Sequence, residues 1–101
     1  MGAKLNLKLS ESKLQAKVLK LLKGIPDVWS FKTVKSNVNG VPDIIGCYKG
    51  KFFAIELKSQ IKESKTNGKL QDYTLEKISK CHGATLKTSS YDEVVEFLLG
   101  L

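Results

Sequence analysis

The chain is predicted to fold as an α/β protein, with a central mixed β-sheet flanked by helices in the order α-β-β-β-α-β-α. Three observations carry this prediction. Apolar residues recur at helical spacing in two amphipathic segments, Leu14-Val18-Leu21-Leu22 and Val94-Val95-Leu98-Leu99. Two β-rich apolar runs, one opened by Asp43 and one closed by Glu56-Leu57-Lys58, are separated only by Lys49-Gly50. A strand-like segment, 84–88, lies between two helical segments, which places strands and helices in packed layers.

In chain order, residues 1–9 are a basic lead-in. Ser10 is a suitable N-cap for a first helix through Lys23, stopped by Gly24 and Pro26. Its apolar stripe is Leu14, Val18, Leu21 and Leu22, while Lys13, Lys17 and Lys20 occupy another face. Glu11 lies within about 20° of Val18 and Leu22 on the helical wheel, so it points along the stripe. A first-turn glutamate is also favoured by the helix dipole, by about 0.3–1 kcal/mol. Residues 28–35 alternate weakly through Trp29, Phe31 and Val34 and form the first strand. Asp27, after Pro26, reads as a turn residue. A polar loop, 36–40, leads into a hairpin over 41–58. Residues 59–69 read as a mobile basic loop. A second helix is expected over 70–81, ended by Gly83 as a C′ glycine. The last helix, 91–99, turns Val94, Val95, Leu98 and Leu99 inward.

Length and composition bound the function. A chain of 101 residues, 42% hydrophobic, supports one core and hence one domain over 1–101. The net charge is +7 and all seventeen cations are lysine. Such an excess favours a polyanionic partner through phosphate neutralisation and counterion release; a lysine-rich solvated surface is the plain alternative. The absence of arginine argues against bidentate reading of guanine edges. Cys47 and Cys81 match no metal or redox spacing, and Cys47 in its apolar strand is expected in the core. No signal peptide or membrane-spanning stretch is read, so an intracellular location without membrane association is expected.

The hairpin carries the chemistry. If Lys49-Gly50 is the whole turn, Tyr48 faces Lys51 and Asp43 comes opposite Glu56. Directly opposed residues have Cβ atoms about 4.5–5.5 Å apart, and like charges so placed destabilise a sheet unless a positive charge sits between them. Lys58 projects from the same face as Glu56. Two carboxylates beside an ammonium point to a bound divalent cation, either Mg²⁺ or Mn²⁺, hard ions that prefer oxygen ligands, and to phosphodiester hydrolysis. With the acidic pair in place, Glu11 joins the candidate site. Lys58 as an ordinary strand lysine paired with Glu56 is the bland reading.

Gly40-Val41-Pro42-Asp43 with Ala54-Ile55-Glu56-Leu57-Lys58 resembles the PD-(D/E)XK nuclease signature, and with it the restriction-endonuclease-like core. The finer resemblance is to the VRR-NUC family of virus-type replication and repair nucleases. It rests on Gly40 to Asp43, Gly50 to Phe52, and Glu56 to Ser59, and extends to Glu11, Gln71 and Gly83-Ala84, so it covers nearly the whole chain. Either half of the hairpin motif alone is weak; joined at this spacing they are specific.

The resemblance implies a metal held by Asp43, Glu56 and the Leu57 carbonyl, with Glu11 placing a water or a second metal. Lys58 would orient water or stabilise transition-state charge, and Gln71 would hydrogen-bond a metal-bound water or phosphate. It also implies a homodimer that cuts branched DNA such as Holliday junctions. Small stand-alone members of this kind come from phages, which implies the cytoplasm of a bacterial host. Lys62, Lys65 and Lys69 could close over a DNA backbone, with solvated charge as the alternative. His82 has no expected catalytic role. Two other functions compete: a sequence-preferring restriction or homing-type endonuclease, and a nucleic-acid-binding module without cleavage. Missing arginine and the lack of a recognition domain count against the first. The intact set of acids and lysine counts against the second.

Overall fold

The computed structural model describes residues 8–34, 39–60 and 69–101. Its elements are α1 (Glu11–Lys23), β1 (Val28–Lys32), β2 (Ile44–Tyr48), β3 (Lys51–Leu57), α2 (Lys69–Lys80), β4 (Ala84–Thr88) and α3 (Tyr91–Leu99), in the predicted order. Ser10 caps α1, its Oγ accepting from the Lys13 N–H at 3.3 Å, and Gly24 closes the helix. Ser90 caps α3 in the same way, accepting from the Glu93 N–H at 3.2 Å.

The four strands form one sheet in the order β1-β2-β3-β4. β1, β2 and β3 are antiparallel neighbours, and β3 pairs parallel with β4 through the crossover that contains α2. Lys49 and Gly50 form the whole β2–β3 turn, with φ of 52° and 82°, the double positive φ of a type I′ hairpin. Tyr48 therefore faces Lys51, as the sequence predicts.

Alternation along β3 divides the fold into layers. Phe53, Ile55 and Leu57 enter the core with Ile44 of β2, Leu14, Val18 and Leu22 of α1, and Val94 and Leu98 of α3. Phe53 and Phe97 meet edge to face, their ring centroids 6.5 Å apart. Burial of side chains of this size contributes about 1.5–3 kcal/mol each. On the opposite face lie Phe52, Ala54 and Glu56. Helix α2 covers the β3 and β4 part of that face and leaves the β1 and β2 part open.

The structure corrects several expectations. Cys47 is exposed, because its register partners Trp29 and Phe52 share the open half of the sheet with it. In α3, Leu99 is 81% exposed, while Phe97 packs against the core in its place. At the end of α2 the left-handed residue is His82 (φ 72°), not Gly83. The His82 N–H donates to the Ser79 carbonyl and the Gly83 N–H to the Ile78 carbonyl, which is the paired bonding of a Schellman cap with His82 at C′. Lys69 is the first residue of α2 and not part of a loop. Lys62 and Lys65 lie outside the described residues, as does most of the predicted basic loop.

Candidate active site

Asp43 immediately precedes β2, and continuing the Ile44↔Ile55 register by one residue brings it opposite Glu56. Its main chain is held by Thr33, whose N–H donates to the Asp43 carbonyl at 2.8 Å. Thr33 Oγ1 also donates to the Pro42 carbonyl at 2.6 Å. Gly40 takes a positive φ of 79°, and a Cβ there would lie 2.8 Å from both Cβ and the carbonyl oxygen of Leu70. The Gly-X-Pro-Asp run thus packs directly on the start of α2, and only glycine permits both the backbone conformation and the approach.

The two acids differ in their surroundings. Asp43 Oδ2 accepts the Leu57 N–H at 2.8 Å. Glu56 is 3% exposed, and Lys58 Nζ approaches its Oε2 at 3.4 Å. Glu56 Oε1 is buried with no hydrogen-bond partner. Burial, and then the negative charge of Asp43, push the Glu56 carboxyl up to about 7, against the opposing charge of Lys58. Burial also raises Asp43, with the Leu57 N–H and the charges of Lys58 and Lys32 pulling the other way. Glu11 is raised by partial desolvation and then by Asp43, and again Lys58 opposes. All three carboxylates therefore feel the same ammonium.

The structure brings together Asp43, Glu56 and Lys58, with Leu57 between the two residues of the Glu-X-Lys motif. The Leu57 N–H is taken by Asp43 and its side chain is buried in the core. Glu11 stands at the rim with an exposed side chain, although Leu14, Val18 and Leu22 on its stripe are buried. Gln15 Nε2 donates to Glu11 Oε2 at 3.5 Å. Among the described residues, no group of three His, Cys, Asp or Glu side chains is gathered closely enough to hold a metal unaided. Gln71 lies half-buried in the first turn of α2, the helix on the carboxylate face. Lys69 begins that helix and is exposed.

Two features carry no sequence signal. Thr33 reads as an ordinary residue of the first strand, yet it follows β1 and fixes the motif aspartate. Lys87 pairs with Glu56 in the parallel register, but its Nζ turns to Asp72 of α2 at 2.8 Å. Such pairings across elements depend on which strand β4 joins, and local composition does not encode that choice.

A search of solved structures finds a chain described as a VRR_NUC domain. It superposes with a TM-score of 0.67 over 87% of this chain and 92% of that chain, at 16% sequence identity. The chain has the VRR-NUC fold. No family model and no curated protein matches the sequence. The resemblance read from the hairpin motifs is thus borne out in the fold, in a pair of chains too divergent for sequence comparison to connect readily.

Within the VRR-NUC fold the residues present fit a hard divalent cation. The unpartnered Glu56 Oε1 is an acceptor that burial has stripped of water, a cost normally offset by a partner. Asp43 supplies a second oxygen-donor side chain across the hairpin, and a cation between them would lower both carboxyls again. With no third carboxylate gathered among the described residues, main-chain carbonyl and water ligands would complete the shell, as oxygen-ligated ions allow.

Proposed function

We propose that the chain is a metal-dependent endodeoxyribonuclease that acts as a homodimer on branched DNA such as four-way junctions. The observation that carries this reading is the half-buried Asp43 opposite the buried Glu56, whose Oε1 has no hydrogen-bond partner, with Lys58 beside it. Asp43, Glu56 and the Leu57 carbonyl would hold Mg²⁺ or Mn²⁺. When bound, such an ion polarises a phosphoryl oxygen and lowers the pKa of coordinated water.

The chain's own groups do the rest. The Leu57 N–H holds Asp43 through its Oδ2. Lys58, with its charge shared by the three acids, orients an attacking water or neutralises charge on the phosphate in the transition state. Glu11 at the rim is placed to position a water or a second cation. Gln71, on the helix over this face, is assigned to a water or phosphate contact. The lysine excess supports binding led by backbone contacts, and Lys69 with Lys62 and Lys65 is assigned to them.

Pairing of two copies is supported by an exposed apolar row on the sheet face that carries the acids. Trp29 is 65% exposed and Phe52 42%, with Cys47 between them in the register. Phe31, 44% exposed, adds a second ring 5.4 Å from Trp29. Exposed aromatic surface on this scale marks an interaction site, and a homodimer is its simplest occupant.

The deciding experiment compares a labelled four-way junction with its linear duplex in Mg²⁺, Mn²⁺ or EDTA, using wild type and Asp43→Ala. Junction cutting that needs metal and vanishes in the variant is the expected result. Equal cutting of both substrates would remove the branch selectivity and leave a nuclease. DNA binding by a folded wild type without any cutting would leave a binding module.

A further inference from the structure

Gln60 lies three residues after Leu57 and carries no catalytic signal, yet it joins three parts of the fold. Its Oε1 accepts the Leu9 N–H at 2.8 Å, and its own N–H donates to the Leu9 carbonyl at 3.0 Å. Its Nε2 donates to the Ser89 carbonyl at 2.6 Å. Leu9 directly precedes Ser10, the cap of α1, and Glu11 is the first residue of that helix. Ser89 lies at the exit of β4, just before the cap of α3. The Lys58 N–H donates to the Thr88 carbonyl at 2.9 Å, so the segment that delivers Gln60 is an extension of the sheet that bears Glu56.

The connection matters because of where α1 is otherwise held. Its buried residues begin at Leu14, one turn after Glu11. Ahead of Leu14, the helix start is held to the frame by the two-way pairing of Leu9 with Gln60, together with packing of the Leu9 side chain against the core. Bonds to the frame at both Oε1 and Nε2 fix the side-chain amide in one orientation. Glu11 feels Asp43 and Lys58 from its place in that first turn. A freed helix start would let the carboxylate swing about its hinge, and small misplacements of positioning groups are costly to catalysis.

We propose that Gln60 is a positioning residue that sets Glu11 against the Asp43–Glu56–Lys58 cluster by stapling the start of α1 to the end of β3. The proposal rests on the reading of Glu11 as part of a hydrolytic site. In this role Gln60 acts through Glu11.

The test is a double-mutant cycle with Gln60→Ala, Glu11→Ala and the pair, repeated with the near-isosteric Gln60→Met in case the alanine variant does not fold. Junction cleavage is measured in Mn²⁺, and amide hydrogen exchange across residues 9–13 is measured without metal. The expected result is that Gln60→Met lowers kcat by about tenfold with KM unchanged, as loss of orientation does. In the Glu11→Ala background it should have no further effect. Exchange across residues 9–13 should rise in Gln60→Met while core amides stay protected. An equal loss in both backgrounds would overturn the proposal by showing a general structural role, and unchanged exchange would overturn the staple itself. Full activity in Glu11→Ala would remove Glu11, and Gln60 with it, while metal dependence and loss of cutting in Asp43→Ala would leave the nuclease reading standing. A wild type inert on all DNA would overturn both readings.

Discussion

The main-chain N–H of Leu57 donates to Asp43 Oδ2 at 2.8 Å, so the strand that carries Glu56 also orients the acid opposite. This bond separates two roles of Asp43, charge and acceptor. Asp43→Asn keeps an acceptor for Leu57, whereas Asp43→Ala leaves a half-buried N–H unsatisfied. Both variants should lose cleavage by more than about a hundredfold, since even outer partners of metal ligands are worth about 10- to 100-fold. Only Asp43→Ala should lose about 1–3 kcal/mol of stability. Urea unfolding of the two variants in EDTA checks this, and equal destabilisation would remove the structural role of the bond.

Glu56 sets a pH dependence with a defined sign. Its carboxyl is raised from 4.5 to about 7 in the fold, so the folded state holds this proton more tightly than the unfolded chain. The resulting stability is fully present below the unfolded value, and it is lost as pH rises through the folded one. The effect is at most roughly 3 kcal/mol by the pKa arithmetic. In EDTA, the melting temperature of wild type should fall relative to Glu56→Gln between about pH 5 and pH 8. Mn²⁺ at the upper end of this range should restore wild type and not the variant. Parallel curves for the two proteins would mean that Glu56 is not held protonated.

Lys58 lowers all three carboxyls, so its removal has two consequences. Lys58→Met should reduce kcat by about 10²- to 10³-fold, the scale for loss of one preorganised group that stabilises the transition state. It should also carry the pH dependence of Mn²⁺ binding to higher pH, because the acids keep protons that compete with the ion up to a higher pH. Calorimetric titration at two pH values measures the second effect. Unchanged cleavage in Lys58→Met would reduce the residue to an ordinary partner of Glu56.

The open aromatic row predicts an oligomeric state. Trp29→Ser with Phe31→Ser should convert a dimer to a monomer in sedimentation velocity, with little loss of stability because both rings are exposed. Cutting of both arms of a junction should become uncoupled. If the variant stays dimeric but loses affinity for single-stranded DNA, the row is a stacking surface instead.

Gly40→Ala should cost about 1–3 kcal/mol for the left-handed backbone alone, and more for the collision with Leu70. Because Gly40 lies three residues before Asp43, cleavage should fall even where the variant remains folded. A guanidinium melt beside the junction assay checks both effects.

The hairpin was legible because its information is local. A two-residue turn with positive φ, two apolar runs and the count from Tyr48 and Lys51 outward together determine that Asp43 and Glu56 share a face. The helix starts at Ser10 and Ser90 were legible for the same reason, since a cap is satisfied within one turn. Solvent exposure was harder to read. Cys47 and Leu99 look like core residues on their own elements, but burial depends on whether another layer covers that side. Helix α2 covers only half of its face, and Phe97 takes the core position beside Phe53.

The order of elements, the register of the acidic pair and the lysine beside it are all encoded within short spans of chain. Packing of the whole chain makes Thr33 hold the Asp43 main chain, leaves Glu56 Oε1 without a partner, and ties the start of α1 to the sheet through Gln60. Each of these joins residues far apart in sequence or depends on how much water the packed layers exclude. Desolvation and long-range hydrogen bonding are properties of the assembled chain, and no local spacing specifies them.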